Sequence, residues 1–411
     1  MSAALHIGEG RLEPPSVRCN FVLVLLPLLA AATLYGLPFL RAAPNRLVSG
    51  IPVYFSALPH SLVWLPAAWL LALLVIAFLK PSRAVLGLGA MVSALLLPLL
   101  IWFAASQAAL LAQTQNPIAR TSLGGGFWLA VLLPALASAD CLRRLHAGRV
   151  ARLLLLAAEA LPVGLMLWVG WCDELALMKE YASRADVFWP LVLRHLQIVG
   201  VSLVLAMCIG LPLGWAAWRF GSAGKAGFTM LLFPVLNIVQ TIPSIALFGL
   251  LMAPLALLAA SWPALGKAGI SGVGLAPGVI ALVLYSLLPI VRGMLTGLLQ
   301  VPSSVAEAAT GMGMSHANIF WCVQLPLALP LVLAGVRTAA VQAVGLAAVT
   351  ALIGAGGLGT IMFEGLYANA QDLVLLGVLP IVCMGVLVDM AFSGLIALAD
   401  LPQVTRIATH D

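Results

Sequence analysis

Apolar runs too long for a soluble core recur along the whole chain. A membrane span needs about 20 mostly apolar residues to cross roughly 30 Å of hydrocarbon. Ten stretches qualify, at 21–40, 62–79, 85–112, 126–140, 153–171, 196–218, 227–260, 274–291, 327–353 and 373–399, the fourth short and the seventh long. Lipid offers no partner for backbone N–H and C=O groups, so such runs must be helical. Only 8% of the 411 residues are charged, whereas soluble domains carry about 25%. Too few charges remain to clothe a soluble surface. The chain is therefore expected to be an all-α, polytopic transmembrane bundle of about ten spans.

Other classes find little support in the residues. The six cysteines (Cys19, Cys141, Cys172, Cys208, Cys322, Cys383) are scattered singly and form no C-x-x-C pair, so neither a zinc site nor a disulfide framework is indicated. The histidines are scattered too, and no H-E-x-x-H or nucleophile–base cluster emerges: catalytic and metal-ligating residues are both predicted to be none. The net charge of +6 is explained by loop charges rather than by nucleic acid. The first apolar run has charges of both signs before it and no small-residue cleavage site after it, so it reads as a retained helix.

Cytoplasmic loops are enriched in Lys and Arg. With the N-terminus inside, Arg11, Arg18, Lys80, Arg83, Arg143, Arg144, Arg149, Arg152, Arg219, Lys225, Arg292 and Arg406 fall on the inner side. The outer loop near 172–195 mixes Lys179, Arg184 and Arg194 with Asp173, Glu174, Glu180 and Asp186. Both termini are expected to be cytoplasmic, as an even number of spans requires. The acidic stretch marks a boundary, giving an N-terminal membrane extension at 1–185 and a second region at 186–411, each of about five spans.

The second region contains one long excursion, 301–326, between its third and fourth spans. Ser304 and Glu307 have the spacing of a capping box, which predicts a short helix starting there. Gly311 and Gly313 suit the left-handed conformation that ends helices. Ser315 can cap a second short helix, 316–324, limited by Pro326. Small alanines beside Glu307 would let a partner approach closely.

Glu307-Ala308-Ala309, then Gly313, then Val323-x-Leu325-Pro326 resemble the EAA loop of permease subunits of binding-protein-dependent ABC importers, with Val323 where Ile is commoner. The resemblance covers about 190–400 and implies a type I importer permease core. It implies that Glu307, Ala308, Ala309, Gly313, Leu325 and Pro326 couple the chain to a cytoplasmic ATPase. It further implies a second permease subunit, identical or homologous, and an external or periplasmic substrate-binding protein. The chain itself would hold no cofactor, with ATP on the partner, and would sit in the bacterial inner membrane. Gly210-Leu211-Pro212-Leu213-Gly214, Gln240-Thr241-Ile242-Pro243-Ser244, Leu288-Pro289-Ile290-Val291-Arg292 and Ile353-Gly354-Ala355-Gly356-Gly357-Leu358-Gly359 resemble the branch that imports osmoprotectants such as glycine betaine or choline. Another small solute such as an amino acid, or an ion-coupled secondary transporter, is the alternative; the latter should show inverted repeats, and none is evident.

Asn237, Gln240, Thr241 and Ser244, at spacings of three, four and seven, fall on one helix face, and Pro243 should bend the helix. This polar stripe either lines a translocation pathway or bonds neighbouring helices. Tyr285 is a further pathway candidate, because aromatic faces suit quaternary ammonium groups. Glu159, Arg337 and Asp389 lie within apolar spans, where ionisable groups are functional by default or reach for headgroups. The Gly-rich run 354–359 is followed by Thr360-Ile361, and no Walker A motif is present.

Overall fold

The computed structural model describes residues 20–45, 48, 50–58, 64–114, 119–222, 227–267 and 269–408. Arg11, Arg18 and Lys225, part of the orientation argument, lie outside them. The chain divides into two compact units, Met1–Lys179 and Glu180–Asp411.

The first unit contains α1 (Phe21–Gly36), α2 (Leu65–Phe78), α3 (Arg83–Thr114), α4 (Gly125–Arg144) and α5 (Arg149–Trp168). It also contains three short strands, β1 (Pro38–Ala43), β2 (Ile51–Tyr54) and β3 (Arg120–Leu123), in an otherwise helical unit. The sheet has the order β2-β1-β3, with Arg41 facing Pro52 on one side and Ser122 on the other, both antiparallel. Its cause is Pro38: the residue before a proline is driven to extended backbone, and Leu37 sits at φ −113°, ψ 156°. The first span therefore ends at Gly36 rather than continuing to 40. Gly124 lets β3 pass close to β1, since a Cβ there would lie 2.2 Å from the Pro38 carbonyl oxygen. Phe39, Phe55, Phe103 and Phe127 are fully buried beneath the sheet. Phe55 meets Phe39 edge-on at 4.9 Å and Phe103 at 5.5 Å, contacts that each contribute about 0.5–1.5 kcal/mol beyond burial.

A short α6 (Ala176–Ala182) precedes the helices of the second unit: α7 (Ala185–Ser222), α8 (Gly227–Thr241), α9 (Ser244–Ser261), α10 (Pro263–Lys267) and α11 (Leu275–Leu299). The loop helices α12 (Ser303–Gly311) and α13 (His316–Ile319) come next, then α14 (Leu325–Ala347), α15 (Gly359–Tyr367) and α16 (Gln371–Ala408). Among the described residues, eight helices are long and apolar enough to cross a membrane, with α1, α2 and α8 shorter.

The predicted span at 227–260 is broken at Ile242–Pro243 into α8 and α9. The two pieces run one after the other, antiparallel, along α11. Asn237 meets Arg292, Gln240 meets Tyr285, and Leu247 and Phe248 pack on Ala281 and Tyr285. α11 is the buried centre of the unit, with α7 and α14 against it. Glycines set these approaches. A Cβ on Gly214 would lie 2.6 Å from the Met294 Cβ, and one on Gly293 would lie 2.9 Å from the Gly335 Cα. Small residues at crossings let helix backbones approach closely in lipid.

Candidate coupling loop and translocation groove

The segment 301–326 starts at one end of α11 and returns into α14. Its first helix does not form the predicted capping box. α12 starts at Ser303 with Pro302 as N-cap, and no side chain caps it, so Ser304 and Glu307 lie two positions too deep to close the reciprocal bonds. Glu307 is exposed and has no hydrogen-bond or ionic partner among the described residues. Ala308 is exposed beside it, whereas Ala309 is buried against its own chain. The outer face therefore offers Glu307 and Ala308, with Met312 exposed at the turn that follows.

Gly313 ends α12. Its φ is +80°, the Gly313 N–H donates to the Thr310 carbonyl at 2.9 Å, and the Met314 N–H donates to the Ala309 carbonyl at 3.1 Å. These are the two bonds of a Schellman motif with its left-handed residue at C′. Ser315 then caps α13 as predicted, accepting from the Asn318 N–H at 3.3 Å. Pro326, however, limits nothing. α13 runs through a π-helical turn at Phe320–Gln324 directly into α14. The proline has no N–H to offer, and the chain absorbs the missing bond by widening: the Leu325 N–H donates to the Phe320 carbonyl, five residues back. Leu325 and Pro326 thus stand in the first turn of a span. Phe320 braces the loop against Trp215 and Trp218 of α7, at 6.2 and 6.5 Å between ring centres.

Above this loop lies a groove of about 460 Å³ between α8, α11 and α14. Its polar lining is Gln240, Arg292, Thr296, Thr338 and Gln342, with Pro289 at its middle. Of the predicted polar stripe, Gln240 alone lines it. Asn237 stands behind, its Oδ1 accepting from Arg292 at 2.9 Å. The Thr241 hydroxyl donates back to the Ile238 carbonyl at 2.8 Å. Ser244 opens α9 beyond the break, so the stripe is not the single continuous face expected of it; Pro243 divides it.

Tyr285 is buried and does not line the groove. Its hydroxyl donates to the Ile242 carbonyl, and the Gln240 Nε2 donates to the Tyr285 carbonyl at 2.5 Å. Pro289, four residues on from Tyr285, has no N–H with which to satisfy that carbonyl. Two proline positions therefore free two carbonyls, and each is satisfied from the opposite helix.

Arg337 and Asp389 form a two-pronged ion pair between α14 and α16, at 2.6 and 2.7 Å. They do not reach separately for headgroups. Sequence reasoning missed two further features. One is Arg292, assigned to a loop because its span was ended at 291, although α11 continues to Leu299. The other is a set of bonds from α7 and the residue before it to the 344–364 region: His195 to the Val344 carbonyl at 3.0 Å, Arg194 to the Ala355 carbonyl at 3.0 Å, and Arg184 to Glu364 at 2.8 Å. The positive φ at Gly354, Gly356 and Gly357 shows the Gly-rich run to be a tight turn held by those bonds.

Two family models match. Residues 18–178 match the N-terminal domain of the ABC transporter permease YehY, and residues 210–400 match the binding-protein-dependent transport system inner membrane component. The chain is 37% identical to the osmoprotectant import permease protein OsmW of Salmonella typhimurium over 50% of its own length and 89% of that protein. It is 34% identical to the glycine betaine/carnitine/choline transport system permease protein OpuCD of Bacillus subtilis, over 49% of its own length and 80% of that protein. Among solved structures, the MetNI methionine ABC transporter in inward-facing form aligns with a TM-score of 0.46 at 24% identity, over 52% of this chain and 97% of that one. The chain belongs to the family of binding-protein-dependent transport-system inner membrane components and is a multi-pass permease subunit of an ABC importer.

Proposed function

We propose that this permease carries a small osmoprotectant of the glycine betaine or choline type along the groove between α8, α11 and α14. It does so as one of two permease subunits served by an external substrate-binding protein and by separate ATPase subunits that hold and hydrolyse ATP. The substrate class is drawn from the relatives, whose names give osmoprotectants, glycine betaine, carnitine and choline. Residue for residue, Glu307, Ala308, Ala309, Gly313, Leu325 and Pro326 take the coupling role, with both termini on the ATPase side.

One observation carries the coupling role: α12 is an exposed helix whose exit is fixed by the Schellman turn at Gly313, and α13, which follows that turn, is continuous with α14. A push on α12 is therefore delivered to a span that lines the groove, and rigid transmission of this kind is how docking motions reach a distant site. Gly313→Val tests it. A Cβ at Gly313 meets nothing within 4 Å, so the substitution acts only through the left-handed backbone, at a cost of about 1–2 kcal/mol. Binding-protein-stimulated ATP hydrolysis and uptake by the reconstituted complex should fall together, severalfold, with membrane insertion intact. Parental rates in Gly313→Val would remove the loop from the coupling path.

A further inference from the structure

We propose that the groove holds a carboxylate subsite centred on Arg292, so that it recognises the acid end of a zwitterionic solute. The inference rests on the permease reading above and deepens it.

Arg292 is the one charged residue of the lining. It stands seven residues before the end of α11, and its guanidinium donates to the neutral amide oxygen of Asn237. Among the described residues no carboxylate lies within ion-pair distance of it. The acid deeper in this unit's spans, Asp389, is held two-pronged by Arg337 and cannot serve as its counter-ion. Arg292 is exposed on the isolated chain, so its guanidinium is open to a ligand in the groove. The guanidinium fork matches a carboxylate in its plane, with two parallel N–H···O bonds.

The rest of the lining suits the same ligand. Thr296 lies one turn from Arg292 on the same face of α11, and Thr338 and Gln342 lie one turn apart on the facing wall of α14. The Gly293–Gly335 crossing brings these walls together. The Thr338 hydroxyl is used locally, donating to the Ala334 carbonyl at 3.0 Å. Thr296 and Gln342 have no side-chain hydrogen bond among the described residues, so both can donate to a bound oxyanion. The lining contains no aromatic residue and no acid, so nothing in it favours a cationic head group. The site therefore selects on the carboxylate, which glycine betaine has and choline lacks.

The test compares these two solutes, which share a trimethylammonium group. In proteoliposomes of the complete importer, Arg292→Gln should lower the ratio of glycine betaine to choline uptake by about tenfold or more, the factor expected when a charged hydrogen-bond partner is lost. Arg292→Lys should lower it less. An unchanged ratio in Arg292→Gln overturns the subsite. If the parental importer carries neither solute, the osmoprotectant reading fails by itself, and a second arm decides the subsite alone. In that arm Thr338→Cys, placed in a chain whose native cysteines are replaced, is labelled with anionic and cationic methanethiosulfonates. The anionic reagent should react faster relative to the cationic one with Arg292 present, and Arg292→Gln should abolish that preference. An equal preference in both, or no labelling because a second permease chain covers the groove, overturns the proposal.

Discussion

The two units meet the same solvent with opposite interiors. The first closes its core with phenylalanine rings under a small sheet. Its ion pairs stand near helix ends, as in Arg144–Asp140 and Lys179–Glu174, and Glu159 is the acid left within a span, half-buried on α5. The second unit carries polar groups through the middle of its spans: Gln240 with Tyr285, Arg292 with Asn237, Arg337 with Asp389, and His195 with the Val344 carbonyl. Prolines interrupt helix ladders in both units, Pro27, Pro98, Pro134 and Pro162 among them in the first; in the second, the carbonyls of Ile242 at the α8–α9 break and of Tyr285 opposite Pro289 are satisfied from the facing helix. Unpaired polar groups are expensive in hydrocarbon. The first unit buries polar side chains within its spans too, Ser93, Gln107, Ser138 and Asp140, so what sets the second apart is polar and charged side chains paired with each other across its spans. The two family models follow the same division, one matching residues 18–178 and the other 210–400.

The largest effect expected from breaking this contrast lies in the first unit. Phe103 is fully buried and meets Phe55 edge-on at 5.5 Å. Phe103→Ala should cost about 3–5 kcal/mol, read as earlier unfolding of that unit in a denaturant titration of the purified protein. A loss below 1 kcal/mol would mean that the aromatic core is not what holds the unit together.

Next comes the ion pair of the second unit. Asp389→Asn leaves Arg337 charged among apolar helices, and an uncompensated charge at span depth costs about 2.5–3.5 kcal/mol on insertion scales. Both side chains are more than one-third exposed on the isolated chain, so water or headgroups that reach them reduce this figure. The yield of folded protein should drop in Asp389→Asn and recover in Asp389→Asn with Arg337→Gln, where no lone charge remains. A double variant no better than the single one would show that the pair supplies more than mutual neutralisation.

The legibility of the two units differed for the same physical reason. Span existence followed from apolar length alone, because lipid imposes one backbone solution, so most of the predicted stretches meet a helix near their expected place. What sequence periodicity cannot carry is local chemistry that overrides it. Pro38 turned the tail of a span into a strand, Pro243 split one, and Pro326 was absorbed by a π turn instead of ending a helix. Gly313 and Ser315 were legible because each acts through its own backbone or its near neighbours. The Arg337–Asp389 pair was not, since nothing in the spacing of residues 52 apart records that two helices meet. Arg292 was missed because span ends were drawn where charge begins, although a long arginine side chain can sit inside a helix and reach past its own turn.

The smallest effect tests whether polar groups inside the second unit brace the fold or face the solute. Tyr285 donates its hydroxyl to the Ile242 carbonyl, which α9 leaves unused because its ladder starts one residue later, with the Leu247 N–H on the Pro243 carbonyl at 2.9 Å. Tyr285→Phe removes that bond and little else, since the ring stays packed with Leu247, Phe248 and Ala281. Interhelical hydrogen bonds in membranes average about 0.6 kcal/mol, so the stability loss should be of that order. Gln240→Leu should cost a similar amount by leaving the Tyr285 carbonyl unsatisfied. Because the two bonds span the same junction, the double variant should depart from additivity, and sites in contact commonly couple by about 0.5 kcal/mol or more. Measured uptake should follow stability in Tyr285→Phe, whereas Gln240→Leu should also slow transport, because Gln240 lines the groove and Tyr285 does not. A Tyr285→Phe permease that is as stable as the parent but transports more slowly would place the hydroxyl on the solute path and reverse the assignment of these two residues.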